Sequence, residues 1–464
     1  MKAIRNLIQI WLLCAAMLQA VTSGAQPVTK IAAGGYHSLF LKSDGSLWAM
    51  GLNSYGQLGD GTYNKTNRPE QIVASNVTAI AAGGVGTPPF NSQGHDSLFL
   101  KNDGSLWAMG GNLSGQLGDG TFNQTNRPEQ IVASNITMIA AGATHSLFLK
   151  SDGSLWAMGG NNDGQLGDGT TNNMNRPEQI VASNVTAIAG GYAHSLFLKS
   201  DGSLWGMGPV AALGLGVAFN QISNQPAQIV ASNVTAIAAG FDYSLFLKSD
   251  GSLWAMGDNS YGQLGDGTYN DPSHPEQIMA SNVTAIAAGY DNFDDAHSLF
   301  LKSDGSLWAM GWNQVGQLGN GTFNQTNRPE QIVTSNVTAI AAGEMFSLFL
   351  KSDGSLWAMG RNEEGELGDG TYVITSPYGT NRPEQIVVNP SYNQIAAQFL
   401  GGTNMQLSFF GNAGANYALD RSTSLSPPNW IPQLTNPANS FGALVFTNTP
   451  DATTNNFWRI RSLP

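Results

Sequence analysis

One segment recurs seven times along this chain, and that repetition constrains the fold more than any other feature. The first copy runs Ile31-Ala-Ala-Gly-Gly-Tyr-His-Ser-Leu-Phe-Leu-Lys-Ser-Asp-Gly-Ser-Leu-Trp-Ala-Met-Gly51. It continues through Gly56-Gln-Leu-Gly-Asp-Gly61 to Arg68-Pro-Glu-Gln-Ile-Val73. The tripeptide Ser-Leu-Trp ends at Trp48, Trp107, Trp156, Trp205, Trp254, Trp308 and Trp357. A fixed period of this size is one supersecondary unit copied in series. A single copy cannot bury its own apolar faces, so the copies must stack.

Each copy holds four short runs that suit β-strands. In the first they are Val28 to Ala33, His37 to Lys42, Leu47 to Met50 and Glu70 to Val73. Ser43-Asp44-Gly45-Ser46 reads as a hairpin turn, with Asp-Gly supplying positive φ. Pro69 suits the start of an outer, edge strand. No stretch has helical periodicity of useful length. In the second run Leu39 and Leu41 point one way and Phe40 the other, so the strand is covered on both faces. Four strands in each of seven units predict an all-β, seven-bladed β-propeller. A parallel β-helix, the alternative, has shorter coils and lacks the four-strand hairpin pattern.

The repeats resemble those of the regulator of chromosome condensation family. The likeness rests on Ala-Gly-x-x-His-Ser-Leu (Ala33 to Leu39), Asp-Gly-x-Leu-Trp-x-x-Gly (Asp44 to Gly51) and Asn-x-x-Gly-Gln-Leu-Gly (Asn53 to Gly59). It covers about residues 28 to 388, and it implies seven blades. A kelch propeller has a similar period, but the Gly-Gln-Leu-Gly element argues against it. Copy four departs, with Pro209 to Gly216 replacing the Asn-x-x-Gly-Gln-Leu-Gly stretch. The resemblance also implies nucleotide exchange on a small GTPase and chromatin binding; an export signal and an acidic chain argue against both.

The ends differ from the repeats. Lys2 and Arg5, the apolar run Leu7 to Leu18 and the small residues Ser23-Gly24-Ala25 read as a signal peptide over 1–25. An uncleaved anchor and a lipoprotein signal at Cys14 are the alternatives; the bulky Leu13 disfavours the second. Cys14 is the single cysteine, so the expected mature chain has no disulfide and no thiolate site. The propeller is expected over 26–392. A small β-sandwich is expected over 393–464, from the runs at Met405 to Phe410, Tyr417 to Leu425, Phe441 to Phe446 and Phe457 to Ile460, with Trp430 between them. Asn393-Gln394-Ile395-Ala396-Ala397 echoes a first strand, and either closes the ring or opens this last domain. A secreted location follows, with periplasm or cell surface as alternatives. The chain carries 20 Lys+Arg against 32 Asp+Glu, which speaks against nucleic-acid binding.

Several motifs invite chemistry. His37, His145, His194 and His297 each precede Ser-Leu, where other copies have Asp96, Tyr243 and Phe346. One per blade, they should be spread around the ring as hydrogen-bonded structural residues instead of converging on a metal or proton site. The Gly-Asp-Gly loops place Asp60, Asp119, Asp168, Asp266 and Asp369 in register, with Asn320 in copy six. One carboxylate per loop falls short of calcium's six or more oxygens, and no Lys-Ser/Thr follows to make a phosphate loop. The seven tryptophans suit packing between blades better than a carbohydrate platform. No cofactor and no metal are expected. Seven like units do not bring unlike catalytic groups to one point, so catalysis is not expected.

The copies also disagree in an ordered way. The Ser-Asp-Gly-Ser turn and the Ala-Ser-Asn-Val-Thr linker barely change, and in an antiparallel four-strand sheet both lie at one end. The other two connections vary, and they share the opposite end. That end carries Tyr36, Tyr55, Phe90, Tyr192, Phe241, Asp242, Tyr261, Tyr290, Phe293 and Trp312. Aromatics with scattered charge are enriched at protein interfaces; drift in solvated loops is the plainer alternative. The chain is therefore expected to be a monomeric, non-catalytic propeller that captures a protein partner there. Its rivals are a surface or matrix protein that binds glycan or cell wall through the tail, and a propeller lyase or hydrolase.

Overall fold

The computed structural model describes residues 26–85, 94–216, 221–289 and 296–386, together with six strands beyond residue 395. The expected leader over 1–25 lies outside the described residues, as do Phe90, Tyr290, Phe293 and Trp430. The chain divides into two compact units, one of them Pro27–Ile386. That unit ends a few residues short of the expected limit at 392, because the last propeller strand, Gly379–Ile386, stops there.

Pro27–Ile386 holds seven four-stranded antiparallel sheets, each a simple meander in chain order. In blade one the strands are Val28–Ala33, His37–Lys42, Leu47–Gly51 and Thr66–Val73. First strands of successive blades touch one another, and Val337–Ala342 of blade seven touches Val28–Ala33 of blade one. The first strands therefore line the axis, and the fourth form the outer edge. Among the described residues there is no helix.

The fourth strand is longer than the sequence suggests. Pro69 sits inside it, and the register slips between Ala49↔Glu70 and Gly51↔Thr66. The Thr66 hydroxyl bridges the slip, accepting from Arg68 N at 3.2 Å and donating to Arg68 O at 3.0 Å. An edge strand has no outer neighbour to lose when proline removes a donor, so the run continues. Blade five has prolines at 272 and 275, and its fourth strand shortens to Glu276–Met279.

The core lies between blades. Leu39, Leu41, Leu47, Ala49 and Leu58 of blade one pack against Val77, Phe99 and Met109 of blade two, with Trp107 half-buried over them. The second strand is buried on both faces, with Leu39 and Phe40 both at 0% exposure. Each tryptophan also stacks on a phenylalanine of its own blade, as Trp48 does on Phe40 at 6.1 Å. A lysine ammonium also lies over the ring, Lys42 Nζ being 3.8 Å from the Trp48 ring centre. That contact is a cation–π pair, and it recurs in every blade.

Ring closure repeats the ordinary seam. The third-strand methionine of each blade occupies the space beside a turn glycine of the blade before it: Met109 at Gly59, Met158 at Gly118, and so on to Met50 at Gly368. The last pair joins blade one to blade seven. Val28 N donates to Gly354 O at 3.2 Å and Ser43 N to Pro27 O at 3.0 Å, matching Val77 N to Gly45 O and Asn102 N to Asn76 O. Copy four keeps this seam despite its altered sequence. Leu213 is fully buried, and Gly214 takes Met256 beside it as Gly59 takes Met109.

The second unit contains two three-stranded antiparallel sheets. One orders Ala396–Phe399, Met405–Phe410 and Ala443–Asn448; the other places Asn416–Ser422 between Ile431–Pro437 and Phe457–Ser462. Ala396 and Ala397 pair with Ser408 and Leu407, so this segment pairs within the tail and is not a closing strand of the ring.

Candidate functional site: the variable-loop end

The constant end of the propeller is held by interlocking bonds. Gly45 adopts φ 76° in the hairpin turn, and Asn76 φ 69° in the linker. Gly45 O accepts from Val77 N at 3.0 Å, tying each turn to the next linker. Asp44 Oδ1 accepts from Ser46 N at 2.9 Å, and the Ser46 hydroxyl accepts from Trp48 Nε1 at 2.9 Å. Little can change there without breaking a bond to a neighbour.

The other two connections meet at the opposite end. Leu52 N donates to Tyr36 O at 2.8 Å, and Gly160 N to Thr144 O, Asp258 N to Asp242 O, Trp312 N to Ala296 O and Arg361 N to Met345 O do likewise. The aromatics expected to stand out as anchors are largely turned inward. Tyr36, Phe241 and Trp312 are 3%, 8% and 6% exposed. Phe241 packs with Val85 and Ala143 and lies 4.3 Å, ring to ring, from the half-buried Tyr192. Trp312 packs with Val315 and Met345, with Tyr261 half-buried against them. Tyr55 stacks on His95 at 5.6 Å. Asp242 stays partly exposed. Loops of different blades close over one another here, so their aromatics contact each other first.

The histidines are buried and spread one per blade. His37 Nε2 lies 2.9 Å from Ser97 Oγ of the next blade, and His145, His194 and His297 meet Ser195, Ser244 and Ser347 at the same distance. Each serine donates its own proton to a loop carbonyl of the previous blade, as Ser97 does to Gln57 O at 2.8 Å. The histidine must therefore donate from Nε2, which fixes a neutral tautomer. Burial pushes the His37, His145 and His297 rings down to about 3, with neighbouring histidines adding to the effect at His37 and His145; His194 falls to about 4. At Asp96 burial holds the carboxyl well above its usual range.

The Gly-Asp-Gly loops are turns whose carboxylates are engaged. Asp60 Oδ1 accepts from Thr62 N at 2.8 Å and Asn53 Nδ2 at 3.0 Å, and Oδ2 accepts from the Thr62 hydroxyl at 2.7 Å. Asn320 accepts the same Thr322 donors in blade six.

Blade seven differs from the others where it meets blade one. Glu366 replaces the usual glutamine and is fully buried, as is Glu344. Tyr36 donates to Glu344 Oε1 at 2.8 Å. The Arg361 guanidinium lies 4.5 Å from the Tyr36 ring centre and pairs with Glu363. Burial raises Glu366 to about 7.

A recurring set of exposed aromatics was missed in the sequence. Tyr63, Phe122, Tyr269, Phe323 and Tyr372 are 48%, 49%, 47%, 37% and 39% exposed. Each follows the Gly-Thr of the Gly-Asp-Gly-Thr turn (Gly-Asn-Gly-Thr before Phe323), so one aromatic recurs at the same turn in five blades. Comparing copies at that column finds them; looking for differences between copies passes them over.

Seven meandering sheets, closed on themselves, define a seven-bladed propeller. The chain belongs to the RCC1-like domain family, whose profile matches residues 90–405, and RCC1 repeats match residues 28–57 and 44–87. The mouse protein RCC2 is 37% identical over 115 residues, which are 24% of this chain and 20% of that protein. The human E3 ubiquitin-protein ligase HERC2 is 30% identical over 125 residues, 26% of this chain and 2% of the ligase. The chain thus matches only a fifth or less of these relatives' length. Among solved structures, yeast Prp20 bound to Kap60 superposes with a TM-score of 0.63 at 20% identity, covering 81% of this chain and 86% of that one. Human WBSCR16 superposes with a TM-score of 0.61 at 24% identity, over 70% of this chain and 88% of that one. Prp20p from Saccharomyces cerevisiae has also been described for its binding to Gsp1p and histones.

Proposed function

We propose that this chain is an exported, non-catalytic propeller that captures a protein partner on its variable-loop end. The observation that carries this reading is the set of exposed aromatics Tyr63, Phe122, Tyr269, Phe323 and Tyr372 in the connections from third to fourth strand, set against a constant end occupied by bonds between blades. Aromatic side chains that are already exposed bring large contact area at little ordering cost. The inward-facing Tyr36, Phe241 and Trp312 then serve as the scaffold that holds the loops, with Tyr55, Tyr192, Asp242 and Tyr261 at their margins. Prp20p's binding to Gsp1p and histones supports a binding role for such a propeller; the acidic balance here favours a different partner surface. Export rests on the N-terminal pattern, and the tail is read as a separate sandwich module.

The test places a photo-crosslinking residue at Tyr269 or Tyr372, and in a control at Asp304 of the constant end, using the protein in its source culture. One partner captured from both aromatic positions, absent from the control, and lost in a folded Phe122→Ala/Tyr269→Ala/Phe323→Ala variant supports the reading. Equal capture from the control position refutes it. Mass spectrometry of the mature N-terminus checks the export signal.

A further inference from the structure

The repeat carries an arginine that two seams lack, Gln225 standing in its place in blade four and His274 in blade five. In five blades the residue before the fourth-strand proline is Arg68, Arg127, Arg176, Arg328 or Arg382. Each lays its guanidinium on the second glycine of the preceding blade's Gly-Asp-Gly turn. A Cβ built on Gly370, Gly61, Gly120, Gly267 or Gly321 would meet the nearest Arg atom at 2.5–3.2 Å. The bare glycine backbone is what lets the planar cation lie so close. That glycine follows an Asp (Asn320 in blade six), and a Glu stands nearby on the fourth strand of the same blade, as with Asp60 and Glu70.

Between blades three and four the arginine is replaced by Gln225. The backbone of the seam is unchanged. Gly169 N donates to Asn224 O at 2.8 Å and Asn224 Nδ2 to Gly169 O at 2.9 Å, as Gly120 and Asn175 do one seam earlier at 2.8 and 3.0 Å. The acid pair is also kept, as Asp168 and Glu178. Asp168 holds its turn through Thr170 and Asn161, while the Glu178 carboxylate has no ion pair among the described residues. Beside Gln225 a cleft of about 310 Å³ opens to solvent, lined by Asp168, Glu178, Gln179, Ile180, Gln225 and Pro226. Blade four loses both partners, with Ala227 at the glutamate position, so blade three alone keeps the acid pair and lacks the cation.

We propose that this cleft is a receptor for a guanidinium group, the arginine side chain of a peptide. Five seams of the same molecule show the cation this backbone accepts, and the seam of blades three and four keeps the glycine and both acids with a neutral amide in the cation's place, Gln225 Nε2 lying 3.3 Å from a Cβ built on Gly169. A planar guanidinium that displaces this flexible amide can lie on Gly169 and face two carboxylates, whereas an ammonium is a point charge without that shape. The proposal does not rest on the aromatic-face reading, because the cleft would take the group whether or not a partner docks on that face.

The probe is N-acetyl-arginine amide, titrated into the intact chain while the amide signals of Gly167, Gly169 and Gln225 are followed by NMR. Neutral N-acetyl-citrulline amide and N-acetyl-lysine amide are run beside it. Saturable shifts at these residues are expected with the arginine amide, with at least tenfold weaker binding of the other two. Gln225→Arg supplies the cation in cis and should abolish binding; Glu178→Gln should weaken it several-fold while the fold is unchanged. Absence of saturation in the parent chain overturns the proposal. So does citrulline or lysine binding as tightly as arginine, or full binding by a folded Glu178→Gln variant.

Discussion

Lowering the pH from 7.5 to 5 should destabilise the propeller through its buried histidines, and replacing one with phenylalanine should remove a measurable part of that loss. A ring at about 3 in the folded chain and 6.5 unfolded is neutral in both states at pH 7.5. Below 6.5 only the unfolded chain takes up the proton, so stability falls as the pH falls, until the folded ring titrates as well. At pH 5 the difference is about 1.5 pH units of uptake, or roughly 2 kcal/mol per ring. Four rings give about 8 kcal/mol. Glu366 acts oppositely: its pKa is about 7 folded against 4.5 free, so it regains roughly 2 kcal/mol over the same interval. Asp96 acts in the same direction as Glu366, so the whole-molecule loss is smaller than the histidine sum. His145→Phe isolates one ring. Phe346 occupies the same position in blade seven, with Gly343 against its ring as Gly142 lies against His145. The variant loses the bond to Ser195, about 1 kcal/mol at pH 7.5. At pH 5 it also sheds the roughly 2 kcal/mol proton penalty, so the two stabilities should cross near about pH 6. Urea unfolding followed by tryptophan fluorescence at pH 7.5, 6 and 5 measures this. A variant whose deficit is the same at all three values would refute the account of buried neutral rings.

Glu366→Gln should raise the melting temperature at pH 8.5 and change it little at pH 4, because the unfolded carboxyl ionises above 4.5 while the folded one stays protonated until about 7, so the penalty builds between those values. The glutamine keeps the bond that Glu366 accepts from Glu364 N, and scanning calorimetry at both pH values checks it. Leu147→Ala empties a fully buried inter-blade site and should cost about 2–5 kcal/mol in chemical denaturation. Asp119→Asn should stay within about 0.5 kcal/mol of the parent, since Asn320 makes the same turn in blade six, whereas Asp119→Ala loses several turn bonds and should cost about 1–2 kcal/mol.

Much of the fold was legible because the repeat states each strand seven times. The Leu-Phe-Leu alternation, the Asp-Gly turn and the repeated Ser-Leu-Trp led directly to blades buried on both faces. The histidines were read correctly for a physical reason: one group per blade cannot converge. The length of the fourth strand was not legible, because Pro69 looks like a boundary until the edge position and the Thr66 bridge are known. The burial of Tyr36, Phe241 and Trp312 was not legible, since loop sequence does not reveal that neighbouring blades fold their loops onto each other. The constant aromatic after Gly-Thr was overlooked because constancy was taken to mean burial. The meaning of Gln225 required the structure, which showed its five counterparts to be arginines seated on glycine.

The seam between blades seven and one has a consequence for how the chain can be cut. Pro27 O receives the same bond from Ser43 N that Asn76 O receives from Asn102 N, and Met50 fills the place beside Gly368 as every other methionine does beside its glycine. No strand is borrowed across the join, so the ring does not register where the polypeptide is interrupted. A circularly permuted propeller, with Ile386 tied to Pro27 through an Ala-Ser-Asn linker and new ends opened at Ser134, should close the same seven seams in the same register.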